Sequence, residues 1–364
     1  MEKEFTKVQK EAPEPEFQLT VVTVCWNALA DLKPTVESVL RQKAKGSISI
    51  EHVVVDGAST DGTPEWLAEQ LAAGNIERYV SEPDRGIYDA MNKGINLARG
   101  RVLAFLNAGD RYADDVDLAE CVHPICNGET QAVAACARLI DSRFGNTQRP
   151  SYGQLYFFTP CCHQAFFASA ALYRELGGYD TTLKCSADAD VMYRMYNSVG
   201  EPAISGLYVV NFGGGGLSSK GDDDFRDENV ENLWRNWENI AERCRREPDF
   251  LMAMEGFLLY HCQQFHDWQE RHGHPVPQTL EKLRKMCVSL SGSAHSLFAK
   301  TALRFMAHAY LPSRIKGLPC SKAMRKLLKF WLHAGYMPDG NKYKDTVWLP
   351  NRPLSSNPWF RFLR

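Results

Sequence analysis

The sequence has no uninterrupted apolar run of about 18 residues, the length that a membrane-spanning helix needs. Its 364 residues are 44% hydrophobic, which is enough for one large domain or two ordinary ones. A transmembrane helix is therefore not expected, and any contact with a membrane should be peripheral.

The eleven cysteines lack the spacing of a disulfide framework. They are scattered and odd in number, and no signal-peptide pattern opens the sequence, so we expect a reducing cytoplasm in which most of them act as small apolar residues. Cys161, Cys162, His163 and Cys185 lie in one region, but CxxC-type spacing is missing and a zinc site is not expected.

Neither glycine-rich phosphate motif of nucleotide-binding α/β proteins is present, since both GxGxxG and the P-loop GxxxxGK[ST] are missing. The first predicted strand runs into Trp26 and Asn27 without a glycine. Acidic residues at strand ends can instead hold a diphosphate through a divalent metal, because hard cations bind carboxylate and phosphate oxygens together.

Apolar strands alternate with helices over the first part of the chain. The predicted strands cover residues 17–25, 50–55, 76–80 and 102–106. This alternation predicts a parallel, doubly wound α/β sheet. Right-handed crossovers bring the carboxyl ends of such strands to one edge, so we expect Asn27, Asp56, the turn 82–85 and Asp110 to converge there.

Three motifs carry a resemblance to a known family. Residues 54–63 read VVDGASTDGT, residues 82–94 read EPDRGIYDAMNKG, and residues 105–110 read FLNAGD. In the same order they resemble the DGxSxDGT, EPDxGIYDAMNKG and metal-binding DxD motifs of family 2 glycosyltransferases, particularly the subgroup that builds bacterial capsules and exopolysaccharides. The resemblance covers about two hundred residues and implies a GT-A-like fold, a mostly parallel α/β sheet flanked by helices.

The resemblance implies inverting transfer of a hexose in cell-surface polysaccharide synthesis. The donor would be a nucleotide-diphosphate sugar, UDP- or GDP-linked, and the acceptor a growing glycan or a polyprenyl-diphosphate-linked one. Mg²⁺ or Mn²⁺ would be the cofactor, with Asp110 as its ligand. Asn107 stands where the family carries the first acid of its DxD motif, so this side chain would be a hydrogen-bond donor or a carbonyl ligand.

On the donor side, the resemblance implies a set of nucleotide-sugar-binding residues. They are Thr23, Cys25, Asn27, Asp56, Ser59, Asp84, Arg85, Lys93 and Asn107. Asp56 would accept a hydrogen bond from the base and Arg85 would bind the diphosphate, for which a guanidinium offers paired donors. The alternatives are that Asp56 only caps a turn, that Asp84 and Arg85 form a surface pair, and that Lys93 lies on a solvated helix face.

On the acceptor side, inverting transfer needs a carboxylate that takes the proton of the attacking hydroxyl. Asp188 and Asp190 are the candidates, and only one can face the site because residues i and i+2 of a helix point in different directions. The family pattern favours Asp188, with Asp190 in support or at the helix end. His163, Gln164, Gly214 and Ser218 are expected to contact the acceptor or the diphosphate.

The last part of the chain is basic and helical in pattern. Residues 281–364 contain 16 Lys and Arg against 3 Asp and Glu, and residues 322–333 read KAMRKLLKFWLH, a basic amphipathic helix suited to an anionic membrane surface. The alternative is that such helices cover the catalytic core. No nucleic-acid-binding module accompanies the charge, so nucleic acid is not an expected partner.

These patterns predict a disordered lead-in (1–16), a glycosyltransferase domain (17–220) and a helical, basic region (221–364), and we expect the protein to be cytoplasmic and peripheral on the inner face of the plasma membrane. Two other functions are alternatives to sugar transfer. A sugar-phosphate nucleotidyltransferase would need a glycine-rich, basic loop after the first strand, which residues 25–32 do not supply. A noncatalytic scaffold of a glycan-assembly complex would explain the altered DxD motif.

Overall fold

The computed structural model describes residues 15–139, 147–148, 161–213, 223–246 and 277–291. The strands are β1 (Phe17–Cys25), β2 (Ile50–Asp56), β3 (Arg78–Ser81), β4 (Gly100–Phe105), β5 (Arg111–Tyr112), β6 (Ala132–Leu139), β7 (Thr147–Gln148), β8 (Phe166–Ser169) and β9 (Ala203–Phe212). The helices are α1 (Leu29–Lys45), α2 (Thr63–Ala72), α3 (Ile87–Leu97), α4 (Ala119–Cys126), α5 (Ala170–Glu175), α6 (Ala187–Val199), α7 (Asp223–Arg235), α8 (Trp237–Arg246) and α9 (Pro277–Ser291).

The strands form one sheet in the order β3-β2-β1-β4-β8-β6-β9-β5, with β7 paired to β6. The first four strands in this order are parallel, as the alternation of strands and helices predicts. The second half is mixed, because β8 runs antiparallel to both β4 and β6, whereas β6 and β9 are parallel. The predicted α/β sheet with flanking helices is thus confirmed.

Helix α3 packs closely on β1. Its apolar face, which includes Met91 and Ile95, joins Val22 and Phe105 in one core cluster. Gly94 is needed at the contact, because a Cβ atom there would lie 2.3 Å from Cγ1 of Val22. The opposite face of the sheet is covered by α1 and α4. The central strands are therefore buried on both sides, which is why their sequences are nearly continuous apolar runs.

A buried carboxylate ties the strands together at the edge opposite to the predicted site. Glu51, fully buried near the start of β2, accepts hydrogen bonds from Oγ1 of Thr20 (2.6 Å) and from the backbone and Nε of Arg99 (2.7 and 2.8 Å). A buried charge is tolerated only with such partners. This cluster fixes the amino ends of β1, β2 and β4 relative to one another.

Helices α7, α8 and α9 pack against one another through apolar side chains. The buried ones are Val230, Leu233, Trp237, Ile240, Ala241, Cys244, Leu283, Met286, Cys287 and Leu290. The predicted helical character after residue 220 is confirmed for the described segments 223–246 and 277–291. The basic amphipathic segment 322–333 lies outside the described residues. Within the described part of the chain, no helix is long and apolar enough to cross a membrane.

Candidate active site

The carboxyl ends of three parallel strands meet at one edge, where Cys25, Asp56 and Ser81 lie level with one another. The Asp56 carboxylate is fully buried and accepts hydrogen bonds from the backbone N–H of Ser59 (3.0 Å), from Oγ of Ser81 (2.6 Å) and from Oγ of Ser59. Burial, reinforced by the Asp56 charge, raises the pKa of the Cys25 thiol well above its usual range. Asp56 therefore organises the turn that follows β2.

Asn27 and Ser59 join the loops that follow β1 and β2. The backbone N–H of Asn27 donates to Oγ of Ser59 (2.6 Å), and Oδ1 of Asn27 accepts from the N–H of Thr60 (2.8 Å). Asn27 adopts a φ of 47°, a left-handed conformation that asparagine tolerates better than most residues. Thr23 lies deeper, with its Oγ1 2.9 Å from Nε2 of the buried His52, so its side chain does not reach this edge.

Trp26, which none of the three sequence motifs includes, is the most exposed large apolar side chain among the described residues, at 69%. It lies beside Gly57, where an added Cβ would be 3.4 Å from Cδ1 of Trp26 and 2.6 Å from Oδ2 of Asp84. The glycine thus makes room for Trp26 and Asp84 on the same turn. In the sequence, the sign that Trp26 could take part in the site is its position, as an aromatic residue directly after the first predicted strand.

The side chains of the 82–86 turn bind mainly to one another and to α3. Oδ1 of Asp84 accepts from the N–H of Gly86 (2.9 Å), and Nζ of Lys93 bonds to the carbonyl of Pro83 (2.8 Å) and to Oε1 of Glu82 (2.9 Å). Arg85 is 80% exposed and pairs with Asp89 (2.9 Å). Arg85 and Lys93 therefore brace the turn in this structure.

Asp110 lies at the end of the loop that follows β4 and is only 5% exposed. Its Oδ1 accepts from the backbone N–H of Gly213 (3.0 Å), and its carboxyl group also hydrogen-bonds the side chain of Gln164. Burial raises the pKa of Asp110 to about 7. Oγ1 of Thr35 on α1 donates to the Asp110 carbonyl (2.7 Å) and fixes the loop from behind.

The oxygens at this loop fit a hard divalent cation. Oδ1 of Asn107 is buried and has no hydrogen-bond partner, an arrangement that costs free energy unless a ligand completes it. Together with the Asp110 carboxylate it offers the oxygen donors that Mg²⁺ and Mn²⁺ take. Within the described ranges no cluster of three or more His, Cys, Asp or Glu forms a complete metal cage. A cation here would need further oxygens from phosphate and water.

His163 and Gln164 form a short 3₁₀ turn just before β8 and serve different purposes. Gln164 faces Asp110, and its Oε1 accepts from the thiol of Cys162 (3.0 Å). His163 is buried in an aromatic cluster, stacked on Phe105 with its Nε2 2.7 Å from the hydroxyl of Tyr179. Burial lowers the pKa of His163 to about 4, so the ring is neutral near pH 7. The structure brings Gln164 to the site and places His163 in the support behind it.

The two aspartates at the start of α6 point to different surroundings. Asp190 forms an ion pair with Arg194 (2.7 Å), and that guanidinium also donates to the carbonyls of Leu176 and Gly178. Asp188 is half-buried, and its Oδ1 accepts from the N–H of Ala189 (2.9 Å) and the hydroxyl of Tyr88 (3.3 Å). Asp190 thus stabilises the turn between α5 and α6.

Burial raises the pKa of Asp188 to about 6, although the hydrogen bonds from Ala189 and Tyr88 oppose that shift. Cys162 lies within the electrostatic reach of Asp110 and Asp188: burial raises its pKa above the usual range, and both carboxylates add to the shift. The strand-end loop and α6 therefore contribute one carboxyl group each to the same region. Gly214 and Ser218 lie outside the described residues, but the neighbouring Gly213 contacts Asp110 directly.

Several known proteins are similar to this chain in sequence. The family model described as glycosyl transferase family 2 matches residues 20–173. An uncharacterised glycosyltransferase of Mycobacterium tuberculosis is 32% identical over 182 residues, which cover 48% of this chain and 68% of the relative. The PGL/p-HBAD biosynthesis glycosyltransferase of Mycobacterium bovis is 31% identical over 200 residues, which cover 54% of this chain and 74% of the relative.

Solved structures agree in fold at low sequence identity. Residues 1–349 of S. aureus TarS in complex with UDP-GlcNAc superpose with a TM-score of 0.58 at 14% identity, covering 80% of this chain and 91% of that one. The mannosyltransferase PcManGT of Pyrobaculum calidifontis, in complex with GDP-Man and Mn²⁺, gives a TM-score of 0.50 at 19% identity, covering 89% and 88%. The expected GT-A-like fold is confirmed.

Proposed function

Because the chain belongs to the family 2 glycosyltransferases, we propose that it transfers a hexose, with inversion, from a UDP- or GDP-sugar to a lipid-linked or growing glycan acceptor of a cell-surface polysaccharide or glycolipid. The observation that carries the proposal is the placement of two carboxyl groups, Asp110 in the loop after β4 and Asp188 at the start of α6, both within electrostatic reach of the buried Cys162. A donor diphosphate and an acceptor hydroxyl need such separate carboxylates.

Asp188 is the proposed general base. A pKa of about 6 leaves the group largely ionised at pH 7 but still basic enough to take a proton from a hydroxyl in the transition state. Tyr88 and Ala189 both donate to Oδ1 and fix the orientation of the carboxylate, so we assign Oδ2 to the acceptor hydroxyl. Asp190 is assigned the structural pairing with Arg194 rather than proton transfer.

Asp110 and Asn107 are the proposed holders of Mg²⁺ or Mn²⁺. A divalent cation at this place would neutralise the negative charge that develops on the departing diphosphate. The chain's own contribution is to keep the Asp110 carboxylate in place through Gly213 and Gln164, and to leave the buried Oδ1 of Asn107, three residues earlier in the same loop, without a hydrogen-bond partner.

The nucleotide is proposed to bind at the edge formed by β1, β2 and β3. Trp26 offers an exposed ring on which the base stacks, next to the turn that Asp56 and Ser59 hold. A hydrogen bond from the base to the turn that begins at Asp56 would complete this pocket. Arg85 and Lys93 would reach the diphosphate only by exchanging their present partners, Asp89 and Glu82, which are surface pairs of low strength.

A panel of nucleotide sugars that includes UDP-GlcNAc and GDP-mannose tests the proposal. Each is mixed with the full chain and Mn²⁺, and the melting temperature is measured, because a ligand that binds only the folded state raises it. The donor that stabilises the protein is then assayed for transfer and hydrolysis. Stabilisation without turnover in wild type, matched by Asp188→Asn, would favour the noncatalytic scaffold. Nucleotidyltransferase activity is not expected of a chain in this family.

Attachment to the membrane remains a separate proposal, supported by the charge and amphipathic pattern of residues 281–364. A polyprenyl-linked acceptor is itself held in a membrane, so binding at the cytoplasmic face would bring enzyme and acceptor together. Co-sedimentation with vesicles containing anionic lipid at low salt is the test. Equal recovery in the supernatant with anionic and neutral vesicles would contradict the proposal.

A further inference from the structure

Helix α7 binds the loop that leads into the helix of Asp188. The carboxylate of Glu228 accepts hydrogen bonds from the backbone N–H groups of Lys184 (2.6 Å), Cys185 (2.9 Å) and Ser186 (3.1 Å). Its Oε2 also accepts from Oγ of Ser186 (3.0 Å). One side chain of the helical region thus holds three consecutive amides of the glycosyltransferase domain.

These contacts place a hydrogen-bond acceptor near the start of α6, where the helix has no side-chain cap of its own. The helix begins at Ala187 after Ser186, and Ser186 makes no side-chain capping bond of its own. The first N–H groups of a helix have no partner within the helix, and a negative charge near them is favourable. Glu228 brings such a charge close by, and hydrogen bonds to an ionised acceptor are stronger than neutral ones.

The same face of α7 makes further polar contacts. Nδ2 of Asn232, one turn after Glu228, donates to the carbonyl of Ser186 (3.0 Å), and Asn236, a further turn on, accepts from Asn197 on α6 (2.7 Å). Arg235 pairs with Asp180 in the turn before this loop (2.7 Å). The spacing of four residues puts Glu228 and Asn232 on one face of α7, and Asn236, directly after the helix, continues that row towards α6.

We infer that Glu228 is a positioning residue of the transfer reaction, which holds residues 184–186 so that Asp188, two residues farther on, meets the acceptor hydroxyl. This inference rests on the proposed function. It gives the helical region after residue 222 a role in the chemistry as well as in packing. A small displacement of a catalytic group can cost a factor of about 100 in rate, so this loop needs to be held firmly.

The charge of Glu228 also acts on Asp188. Burial is the main reason that the pKa of Asp188 is raised, and Glu228 adds to the rise. Among the residues that the structure describes, the other titratable groups in electrostatic contact with Asp188 come from several elements. They are Tyr88 of α3, Cys161 and Cys162 before β8, Tyr173 of α5, and Tyr179. All five are neutral near pH 7, since their pKa values are raised, so Glu228 is the charged member of this set.

The test compares Glu228→Gln and Glu228→Ala with Glu231→Gln in the full chain. Gln removes the charge but keeps an acceptor oxygen, whereas Ala removes both. Glu231 is the matched control, because it lies on the same helix but pairs with Lys282 and Arg235 instead of the 184–186 loop. Three quantities are measured for each variant: hydrogen exchange of the 184–186 amides, the dissociation constant of the donor, and kcat as a function of pH.

For Glu228→Ala we expect faster exchange at 184–186 and a drop in kcat of about 10- to 100-fold with unchanged donor affinity. Glu228→Gln should fall between Ala and wild type in both quantities, and the acid limb of the kcat profile should move to lower pH in both variants, because both remove the charge that raises the pKa of Asp188. Glu231→Gln should keep the wild-type profile. If both Glu228 variants keep the wild-type kcat, the inference about Glu228 is wrong, while the proposed function stands. A wild type that transfers no sugar from any donor would overturn the proposed function, and the inference with it.

Discussion

The hydroxyl of Tyr88 donates to Oδ1 of Asp188 across 3.3 Å, although one hundred residues separate them in the chain. Tyr88 belongs to α3 and to the GIYDAMNKG stretch, whereas Asp188 opens α6. The ring of Tyr88 also stacks on that of Tyr179, at a centroid distance of 5.7 Å. The donor motif of the first half of the chain is thus in direct contact with the proposed base of the second half.

Replacing Tyr88 by Phe should shift the pH dependence of catalysis. The hydrogen bond from Tyr88 favours the ionised form of Asp188, so its loss raises the pKa of that carboxyl group above about 6. The acid limb of kcat should move to higher pH, and kcat at pH 7 should fall about 3- to 10-fold, in line with about 1 kcal/mol for one long hydrogen bond. An acid limb in the same place as in wild type would count against this contact.

Asp188→Asn should abolish transfer while donor binding survives. The amide keeps the shape of the side chain but cannot take a proton, and general base catalysis is worth about 10²- to 10⁴-fold. Single-turnover transfer and the donor dissociation constant are the two measurements. Asp190→Asn is the comparison, since it breaks the ion pair with Arg194. This variant should have a lower melting temperature than Asp188→Asn but should keep much more of the wild-type kcat.

Trp26→Ala should weaken donor binding with little effect on stability, because the ring is largely exposed. Stacking of a base on an aromatic ring is worth about 1–3 kcal/mol, so we expect the dissociation constant to rise at least about fivefold. Calorimetric titration with the preferred nucleotide measures the change. Trp26→Phe should retain most of the affinity, and an Ala variant that binds like wild type would remove Trp26 from the base pocket.

Two histidines buried in neutral form should each contribute a loss of stability on acidification, whereas Asp110 and Asp188, whose pKa values are raised, contribute in the opposite direction. Burial lowers the pKa of His52 to about 3 and that of His163 to about 4. The unfolded chain takes up protons near pH 6.5 while the folded one does not, so each histidine costs stability progressively below pH 6.5. At pH 5 the loss is about 2 kcal/mol for each.

Urea unfolding at pH 7 and pH 5 measures this effect. His163→Phe keeps a ring on Phe105 but removes the titration, so the free energy of unfolding at pH 5 relative to pH 7 should be higher in this variant than in wild type, by about 2 kcal/mol. The same change with pH in variant and wild type would show that His163 does not contribute.

Gly94→Ala should destabilise the domain. Alanine is the better helix former by about 1 kcal/mol, but its Cβ would lie 2.3 Å from Cγ1 of Val22. Overpacking of this kind costs about 1–3 kcal/mol, so the net change should be a loss. Gly206→Ala is the control, since an added Cβ there meets nothing within 4 Å. Thermal unfolding of both variants distinguishes the crowded position from the open one.

The first half of the fold could be predicted because its pattern is local. Strand β1 covers residues 17–25 as expected, and β2 extends only one residue beyond the predicted 50–55, since continuous apolar runs bounded by polar turns specify buried strands. The convergence of Asp56 and the strand ends followed from the handedness of the crossovers. The mixed second half did not follow, because no comparable rule fixes how β8, β6 and β9 pair.

The motifs in the sequence predict residues of the proposed site but not the contacts that those residues make. Asp110 and Asp188 were identified through motifs, whereas the Glu228 contact joins positions more than forty residues apart and leaves no periodic signal. Arg85 and Lys93 carry the charges that a diphosphate needs, yet in this structure their nearest partners are acids of the same segment. Spacing in a sequence identifies the residue types at a site better than it identifies their partners.

The pairing of β4 with β8 has a consequence for the exchange of parts between relatives. The parallel half of the sheet, which holds the proposed nucleotide edge, meets the mixed half along a seam of three residue pairs, from Val102 opposite Ser169 to Ala104 opposite Phe167. Outside the sheet the two halves also touch through α3, where Tyr88 contacts Asp188 and Asn92 bonds to Tyr179, so these pairs need to be kept together. A chimera joined at the seam that keeps them is expected to inherit its donor preference from one parent and its acceptor preference from the other.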